Sequence, residues 1–367
     1  MKAYRGQLFT PGHSTIAGGR PERSRRDNMG QWSRRTVSFA MKVVLFQQYK
    51  FELWNPPPTA VAQLRKNFPQ LEIVNPATAD EALAEIRDAE VAIGATFKPE
   101  HLIAARQLRW LHSPAAAVHH YMFPEFIASP VMLTNGRRIF AKPVAEHVIA
   151  LIFALAKRIP TCVHYQQSRT WGQQLLWQTQ PRPREVAGTT LGLVGLGAIG
   201  REVVVRAKAL GMNVIAVRER PSEPAEGVSA VYGTRDLPKL LAESDFVVLA
   251  APVTAGTTHI INASSFAQMK PTASLINVGR GALIDEVALL NALQTKQIAG
   301  AALDVFEEEP LPSTSPLWPL ENLLITPHSA GFVENLWEHH VEGFSKNLRR
   351  YLAGEPLLDL VDKSRGY

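Results

Sequence analysis

Three polar stretches of this chain place an arginine, a group of carboxylates and a histidine at the ends of apolar runs. They are Asn277-Val278-Gly279-Arg280-Gly281, Asp304-Val305-Phe306-Glu307-Glu308-Glu309-Pro310 and Thr326-Pro327-His328-Ser329-Ala330-Gly331. Brought together, such groups suit redox chemistry on a 2-oxo acid. An arginine binds the substrate carboxylate bidentately and polarises the carbonyl. A histidine donates the proton as hydride arrives, and a carboxylate beside that histidine orients it and favours its charged form. Each group alone also has a plain structural use: Arg280 bonded to a loop backbone, Glu309 in a solvated acidic run, His328 closing a strand end. A nucleotide-binding turn in the same chain is what separates the two readings.

That turn is Leu191-Gly192-Leu193-Val194-Gly195-Leu196-Gly197-Ala198-Ile199-Gly200, an apolar run followed by G-x-G-x-x-G. Gly195 permits the sharp turn, Gly197 lets backbone approach a pyrophosphate, and Gly200 lets the following helix pack close to the strand. The helix N-terminus then offers free N–H groups and a positive dipole end to phosphate. About 20 residues further on, the end of the next strand should meet the adenosine ribose, with an acid selecting NAD and an arginine admitting the 2′-phosphate of NADP. Here the run Asn213-Val214-Ile215-Ala216-Val217 ends in Arg218-Glu219-Arg220. Arg218 and Arg220 favour NADP over NAD, while Glu219 keeps NAD open.

The elements that must position these groups alternate in type. From Met41, strands are expected at 43–46, 71–74, 91–94 and 109–112, with helices at 59–68, 79–87 and 99–105, and a further apolar run at 131–134. Pro143 opens an apolar helix over 144–158. The Gln-rich stretch 165–185, with Trp171 and Trp177, reads as a connecting arm whose tryptophans suit a subunit contact. A second series follows, with strands at 190–194, 213–217, 246–250, 274–277, 300–303 and 323–326 and helices at 236–241, 264–268 and 286–296. The fold class is therefore α/β, two doubly wound parallel sheets in succession. In open sheets of this kind the strands' carboxyl ends face the ligand crevice, and the three polar stretches lie at such ends.

Composition narrows the function classes. The net charge is +6. Residues 1–40 carry eight basic side chains against two acidic ones, which is the whole excess, so the basic pI points to neither nucleic acid nor membrane as a partner. That segment has no apolar periodicity and reads as a disordered leader, or as a non-native extension ahead of a start at Met41. A single cysteine, Cys162, fits a reducing, cytoplasmic compartment.

From 191 to 331 the chain resembles the D-isomer-specific 2-hydroxyacid dehydrogenase family. The resemblance runs through Gly195 to Gly200, Pro252 with Thr257, Met269-Lys270-Pro271, 277–281, Asp285-Glu286, 300–310 and Pro327-His328 to Gly331. It extends back through Val144-Ala145-Glu146 to Met41. It implies that Arg280 binds substrate and polarises its carbonyl, that His328 donates the proton, and that Glu309 is the carboxylate paired with it. It further implies that Asp304 holds the nicotinamide carboxamide and that Ala198, Ile199, Pro252, Val278 and Gly279 touch the cofactor. The implied architecture is a Rossmann NAD(P)-binding domain (139–329) inserted in a flavodoxin-like substrate domain (41–138 with 330–367), working as a homodimer.

The chain departs from the family pattern at Leu111-His112-Ser113-Pro114-Ala115-Ala116-Ala117-Val118-His119-His120. There the backbone N–H groups of Ala116 and Ala117 should bind the substrate carboxylate, with Ala117 in place of the usual Gly and His119 in place of the usual Asp. Donors of this kind survive a Gly-to-Ala change only if φ stays negative. The turn has no lysine, which argues against phosphite as substrate; the glutamate at 309 argues against a formate dehydrogenase. Adjacent His119 and His120 point apart, and no third ligand suggests a metal. The expected activity is reduction of a small 2-oxo acid, of glyoxylate or hydroxypyruvate type, to the D-2-hydroxy acid. The alternatives are a phosphoglycerate dehydrogenase-like enzyme and a nucleotide-sensing, corepressor-like scaffold.

Overall fold

The structure, a computed structural model, describes residues 41–223 and 225–366. The expectations for 1–40 lie outside the described residues.

The first series of elements is β1 (Lys42–Leu45), α1 (Pro58–Asn67), β2 (Glu72–Val74), α2 (Ala79–Glu85), β3 (Val91–Ile93), α3 (Pro99–Ala104), β4 (Trp110–Ser113), α4 (Pro124–Ala128) and β5 (Met132–Asn135). The strands form one parallel sheet in the order β2-β1-β3-β4-β5. Apolar side chains leave both faces of these strands. Val43, Leu45 and Trp110 pack on one side, and Val44, Ala92 and Leu111 on the other. A strand buried on both faces needs a continuous rather than an alternating apolar run, which is what Lys42-Val43-Val44-Leu45 supplies. The helix α2 is capped by Thr78, whose hydroxyl accepts from the Glu81 N–H at 3.2 Å, while Glu81 accepts from the Ala77 N–H at 2.8 Å.

Three helices follow: α5 (Ala141–Ala156), α6 (Ile159–Gln167) and α7 (Gln173–Gln178). The apolar helix begins at Ala141 and takes in Pro143 in its first turn, where no intrahelical N–H bond is lost. It stops at Ala156 because Arg158 turns left-handed (φ 56°) and Pro160 starts α6. The stretch 165–185, expected as a connecting arm, holds the end of α6 and all of α7. Trp171 is 91% exposed and Trp177 58% exposed, with the Arg182 guanidinium 4.6 Å over the Trp177 ring.

The second series is β6 (Thr190–Val194), α8 (Ala198–Ala209), β7 (Asn213–Val217), β8 (Ala230–Tyr232), α9 (Leu237–Glu243), β9 (Phe246–Leu249), α10 (Ala263–Gln268), β10 (Ser274–Asn277), α11 (Glu286–Gln294), β11 (Gly300–Leu303) and β12 (Leu323–Ile325). All seven strands are parallel, in the order β12-β11-β10-β9-β6-β7-β8. The chain reverses direction across the sheet between β6 and β9, and the crevice at such a switch point is where doubly wound sheets bind nucleotides. Asn262 and Asp285 cap α10 and α11 by accepting from the first free N–H groups. The helix α5 packs on this sheet, with Val148 and Ile152 in one cluster with Val203, Phe246 and Ile276.

The chain then returns to the first sheet as α12 (Leu336–Leu352), which buries Val341, Phe344 and Leu348 against Val43, Leu64 and Trp110. No single described helix is long and apolar enough to cross a membrane.

Candidate active site

The three polar stretches emerge from neighbouring strands β10, β11 and β12. Asn277 ends β10 and folds its own side chain over the loop beyond, donating from Nδ2 to the Arg280 carbonyl at 2.8 Å and accepting from the Gly279 N–H at 3.0 Å. This fixes the backbone that presents Arg280. The Arg280 guanidinium donates to the Gly279 carbonyl at 2.5 Å and is half-buried. Burial lowers its pKa, with the negative charge of Glu309 opposing that shift. Gly281 lies directly against the second stretch: a Cβ there would stand 1.8 Å from the Phe306 carbonyl carbon. Only glycine lets the two loops meet this closely, so Arg280 is locked beside the loop that carries Glu309.

Glu309 is held at both oxygens. Its Oε1 accepts from the Phe306 N–H at 3.0 Å, and its Oε2 lies 2.6 Å from His328 Nδ1. A proton on Nδ1 donates to that carboxylate, which leaves Nε2 on the far side of the ring. His328 itself stands at φ 51°, a conformation costly for a residue with a Cβ. Its N–H donates to the Asp304 and Thr326 carbonyls at 2.8 and 3.0 Å, which holds it there.

Asp304 is 1% exposed, and its carboxylate organises the same turn. It accepts from the Thr326 hydroxyl at 2.6 Å, the Ser329 N–H at 2.9 Å and the Ala330 N–H at 3.0 Å. His147, on α5, adds its Nε2 to the Thr326 hydroxyl at 3.1 Å and lies 3.7 Å from Asp304. Burial lowers the His147 pKa, the Asp304 charge opposing it. Asp304 therefore anchors the His328 turn from behind. The sequence reading gave no role to His147, which adjoins Val144-Ala145-Glu146, or to Thr326, which opens the polar stretch that carries His328.

From the other sheet, β4 leads into the Ala115–Ala117 turn. Neither Ala116 nor Ala117 has a positive φ, so alanine is tolerated at both positions without backbone strain. Asn135 Nδ2 donates to the Ala116 carbonyl at 2.7 Å, and the Gly136 N–H donates to the Ala115 carbonyl at 3.0 Å. Among the described residues, no protein acceptor takes the Ala116 or Ala117 N–H. His119 follows at once, and its pKa is lowered by burial and then by the positive charge of Arg280. His120 is pushed down to about 4 by burial and by His119. At the carboxyl end of β1, Gln47 is 8% exposed and its Oε1 has no hydrogen-bond partner among the described residues.

The glycine turn fits a dinucleotide. Gly195 has φ 100°, with the Ala250 carbonyl 2.7 Å from where a Cβ would sit. A Cβ on Gly200 would come 2.4 Å from the Gly195 carbonyl oxygen. Gly197 differs from both, because its φ is −82° and a Cβ there would meet nothing within 4 Å. Among the described residues nothing crowds glycine at 197, which leaves its backbone open to the close approach that a dinucleotide's pyrophosphate makes at such turns. Ala198 and Ile199 open α8 beside it. Val278 and Gly279 lie past β10, and a Cβ on Gly279 would stand 3.1 Å from the Ala251 carbonyl oxygen. The Pro252 carbonyl is held by the Thr257 hydroxyl at 2.7 Å.

At the end of β7 both arginines lean on Glu223. Arg218 donates to its carbonyl and lies 3.6 Å from its carboxylate, and Arg220 pairs with it at 3.0 Å. The Arg218 side chain is 8% exposed, and its Nε is buried without a partner among the described residues.

Residues 149–330 match the family model for D-isomer specific 2-hydroxyacid dehydrogenase, NAD binding domain. A glyoxylate reductase from Korarchaeum cryptofilum is 33% identical over 288 residues, which are 77% of this chain and 85% of that protein. Among solved structures, a D-isomer specific 2-hydroxyacid dehydrogenase family protein from Aeromonas salmonicida superposes with a TM-score of 0.74 at 32% identity. It covers 89% of this chain and all of its own. The enzyme of the same family from Xanthobacter autotrophicus, solved in complex with NADPH and MES, gives 0.76 at 27% identity over 90% of this chain and 100% of its own.

Proposed function

The chain belongs to the D-isomer specific 2-hydroxyacid dehydrogenase family of NAD(P)-dependent oxidoreductases, and from that premise we propose that it reduces a small 2-oxo acid, of the glyoxylate or hydroxypyruvate type, to the D-2-hydroxy acid with NADPH preferred. The observation that carries this reading is the His328–Glu309 pair at 2.6 Å, on the loop that Gly281 locks to Arg280. When bound, the reduced nicotinamide supplies the hydride.

The chain's own groups do the rest. The Ala116 and Ala117 N–H groups and the Arg280 guanidinium bind the substrate carboxylate, and Arg280 also draws electron density from the carbonyl oxygen. His328 gives the proton on Nε2 to that oxygen. Glu309, bonded at Nδ1, holds the ring in orientation and stabilises the imidazolium before transfer. Gly195, Gly197, Gly200, Ala198, Ile199, Pro252, Val278 and Gly279 cradle the cofactor, with Arg218 and Arg220 at its adenosine end. Asp304 positions the His328 turn and retains lone pairs for a carboxamide donor. In this reading residues 41–138 with 330–367 serve the substrate and 139–329 the cofactor. The exposed Trp171, Leu175 and Trp177 supply an apolar face for a second copy of the chain.

The test is steady-state turnover with glyoxylate and hydroxypyruvate, each with NADPH and NADH, and chiral analysis of the product. A D-hydroxy acid formed with a higher kcat/KM for NADPH is the expected result. Absence of turnover, or an L-product, overturns it.

A further inference from the structure

The corner between α5 and α6 stands at the end of the second sheet that lies away from Arg280 and His328. Arg158 makes that corner with its left-handed backbone. The Arg184 N–H donates to the Ala156 carbonyl at 2.9 Å, which brings the segment returning from the arm beside it. Between them opens a cavity of about 230 Å³, its mouth included, lined by Arg158, Arg182 and Arg184 with Phe246, Thr272 and Ser274. Phe246 and Ser274 are the first residues of β9 and β10. The catalytic stretches leave the opposite end of this parallel sheet, so the cavity is separate from the crevice.

Three guanidiniums line the cavity, and among the described residues no carboxylate does. Arg158 donates from Nε and Nη2 to one carbonyl, that of Pro181, at 3.1 and 2.7 Å. A carbonyl satisfies donors but cancels no charge. Burial lowers the Arg158 pKa, and the like charge of Arg184 lowers it further. Arg184 stacks over the Phe246 ring at 4.5 Å, donates to the Asp245 carbonyl at 3.1 Å and lies 3.6 Å from the Asp245 carboxylate. That carboxylate also takes Lys270 at 3.2 Å. Two neighbouring, half-buried guanidiniums that share no anion of their own are costly to hold, and an oxyanion between them removes the cost.

We infer that this cavity binds a small tetrahedral oxyanion, inorganic phosphate or the phosphate group of a small monoester, held between Arg158 and Arg184. The exposed Arg182 guanidinium and Thr272 hydroxyl stand at its mouth. Size sets the class, because the cavity falls short of the roughly 300–1,000 Å³ that drug-sized ligands fill. Charge and geometry favour phosphate over a single carboxylate, since each planar fork can donate to its own pair of phosphate oxygens. The bound anion joins the α5–α6 corner and the segment returning from the arm to the sheet. The inference does not depend on the substrate or the cofactor preference proposed above.

The experiment is isothermal titration of the full chain with inorganic phosphate and with glycerol 2-phosphate, at constant ionic strength set with chloride. The protein is first saturated with NADPH or NADH, whichever binds more tightly, so that the dinucleotide's own phosphate sites are filled. Wild type is compared with R158Q, R158K and R280Q, the last lacking the active-site arginine. Saturable binding is expected in wild type and, within about twofold, in R280Q, because the two sites are separate. R158Q should weaken it about tenfold or more, the worth of one charge-assisted contact. R158K, which keeps the charge without the planar fork, should fall between and decides the matter if R158Q does not fold. Tighter binding of phosphate names the free anion as the ligand, and tighter binding of the ester names a phosphorylated small molecule. No binding beyond that of chloride, binding lost in R280Q, or R158Q and R158K as tight as wild type overturns the site.

Discussion

Glu309 grips His328 from one side only: its Oε2 lies 2.6 Å from Nδ1, while its Oε1 is spent on the Phe306 N–H. The pair is therefore fixed to backbone that Gly281 packs against Arg280. Replacing Glu309 by Gln keeps the shape and removes the charge that stabilises the imidazolium. We expect E309Q to lower kcat by about 10–100-fold, within the range for a general acid's partner, with KM for the cofactor unchanged. A kcat within twofold of wild type would remove Glu309 from the mechanism.

Arg280 is predicted not to tolerate lysine. The ammonium is a point donor without the planar fork that spans a carboxylate and the adjacent carbonyl oxygen. R280K should lose about 2–4 kcal/mol in kcat/KM for the 2-oxo acid, the scale for one displaced electrostatic contact in a transition state, and cofactor affinity measured by fluorescence should be retained. Equal losses for substrate and cofactor would indicate a collapsed loop instead.

Two glycines separate ligand demands from folding demands. Gly197 has open space where a Cβ would lie, and Gly281 has the Phe306 backbone at 1.8 Å. G197A should therefore leave the thermal midpoint within about a degree while raising cofactor Kd roughly tenfold or more, since the pyrophosphate loses its close approach. G281A should lower stability by about 1–3 kcal/mol through overpacking, read as a fall in midpoint together with a loss of activity. A reversed pattern would contradict both assignments.

Much of this was legible in the sequence because the functional groups sit on local motifs. The turn at Gly195, Gly197 and Gly200 and the stretches around Arg280, Glu309 and His328 each combine a buried strand with a polar end, and parallel topology brings those ends together. Other features have no local signature. The helix α12 carries charges such as Glu338, Glu342 and Lys346 on its outward side, and its return to the first sheet depends on which strands lie beneath it. The three-residue β8 is too short to show a period. Trp171 and Trp177 marked an exposed arm, but its Gln-rich stretch concealed α7. Arg365 meets Glu219 across 146 residues of sequence, a contact that only the folded chain defines.

Acid should destabilise the fold through two histidines outside the site. His112 (3% exposed) and His340 (6% exposed) face a common apolar pocket with Leu45, Ile93 and Phe344, and His112 Nε2 and His340 Nδ1 lack partners among the described residues. Burial lowers their pKa values to about 4 and about 3 from 6.5, with their mutual repulsion adding to the shift for His340. Between those values and 6.5 the unfolded chain binds more protons than the folded one, so stability falls as pH drops through that window. Thermal midpoints should decline from pH 7 to pH 4, and H340L should flatten the decline whatever its effect at neutral pH. An equally steep decline in H340L would remove His340 as a cause.

The central claim is that His328 protonates a 2-oxo acid held by Arg280 while reduced cofactor is consumed. It is tested most directly by NADPH oxidation with glyoxylate, comparing the wild-type protein with H328A at saturating cofactor. The account predicts turnover by the wild type and a kcat at least about 100-fold lower in H328A, the usual contribution of a positioned proton donor, with NADPH still bound. A wild-type protein inert toward glyoxylate and hydroxypyruvate, or an H328A variant as active as wild type, would contradict it.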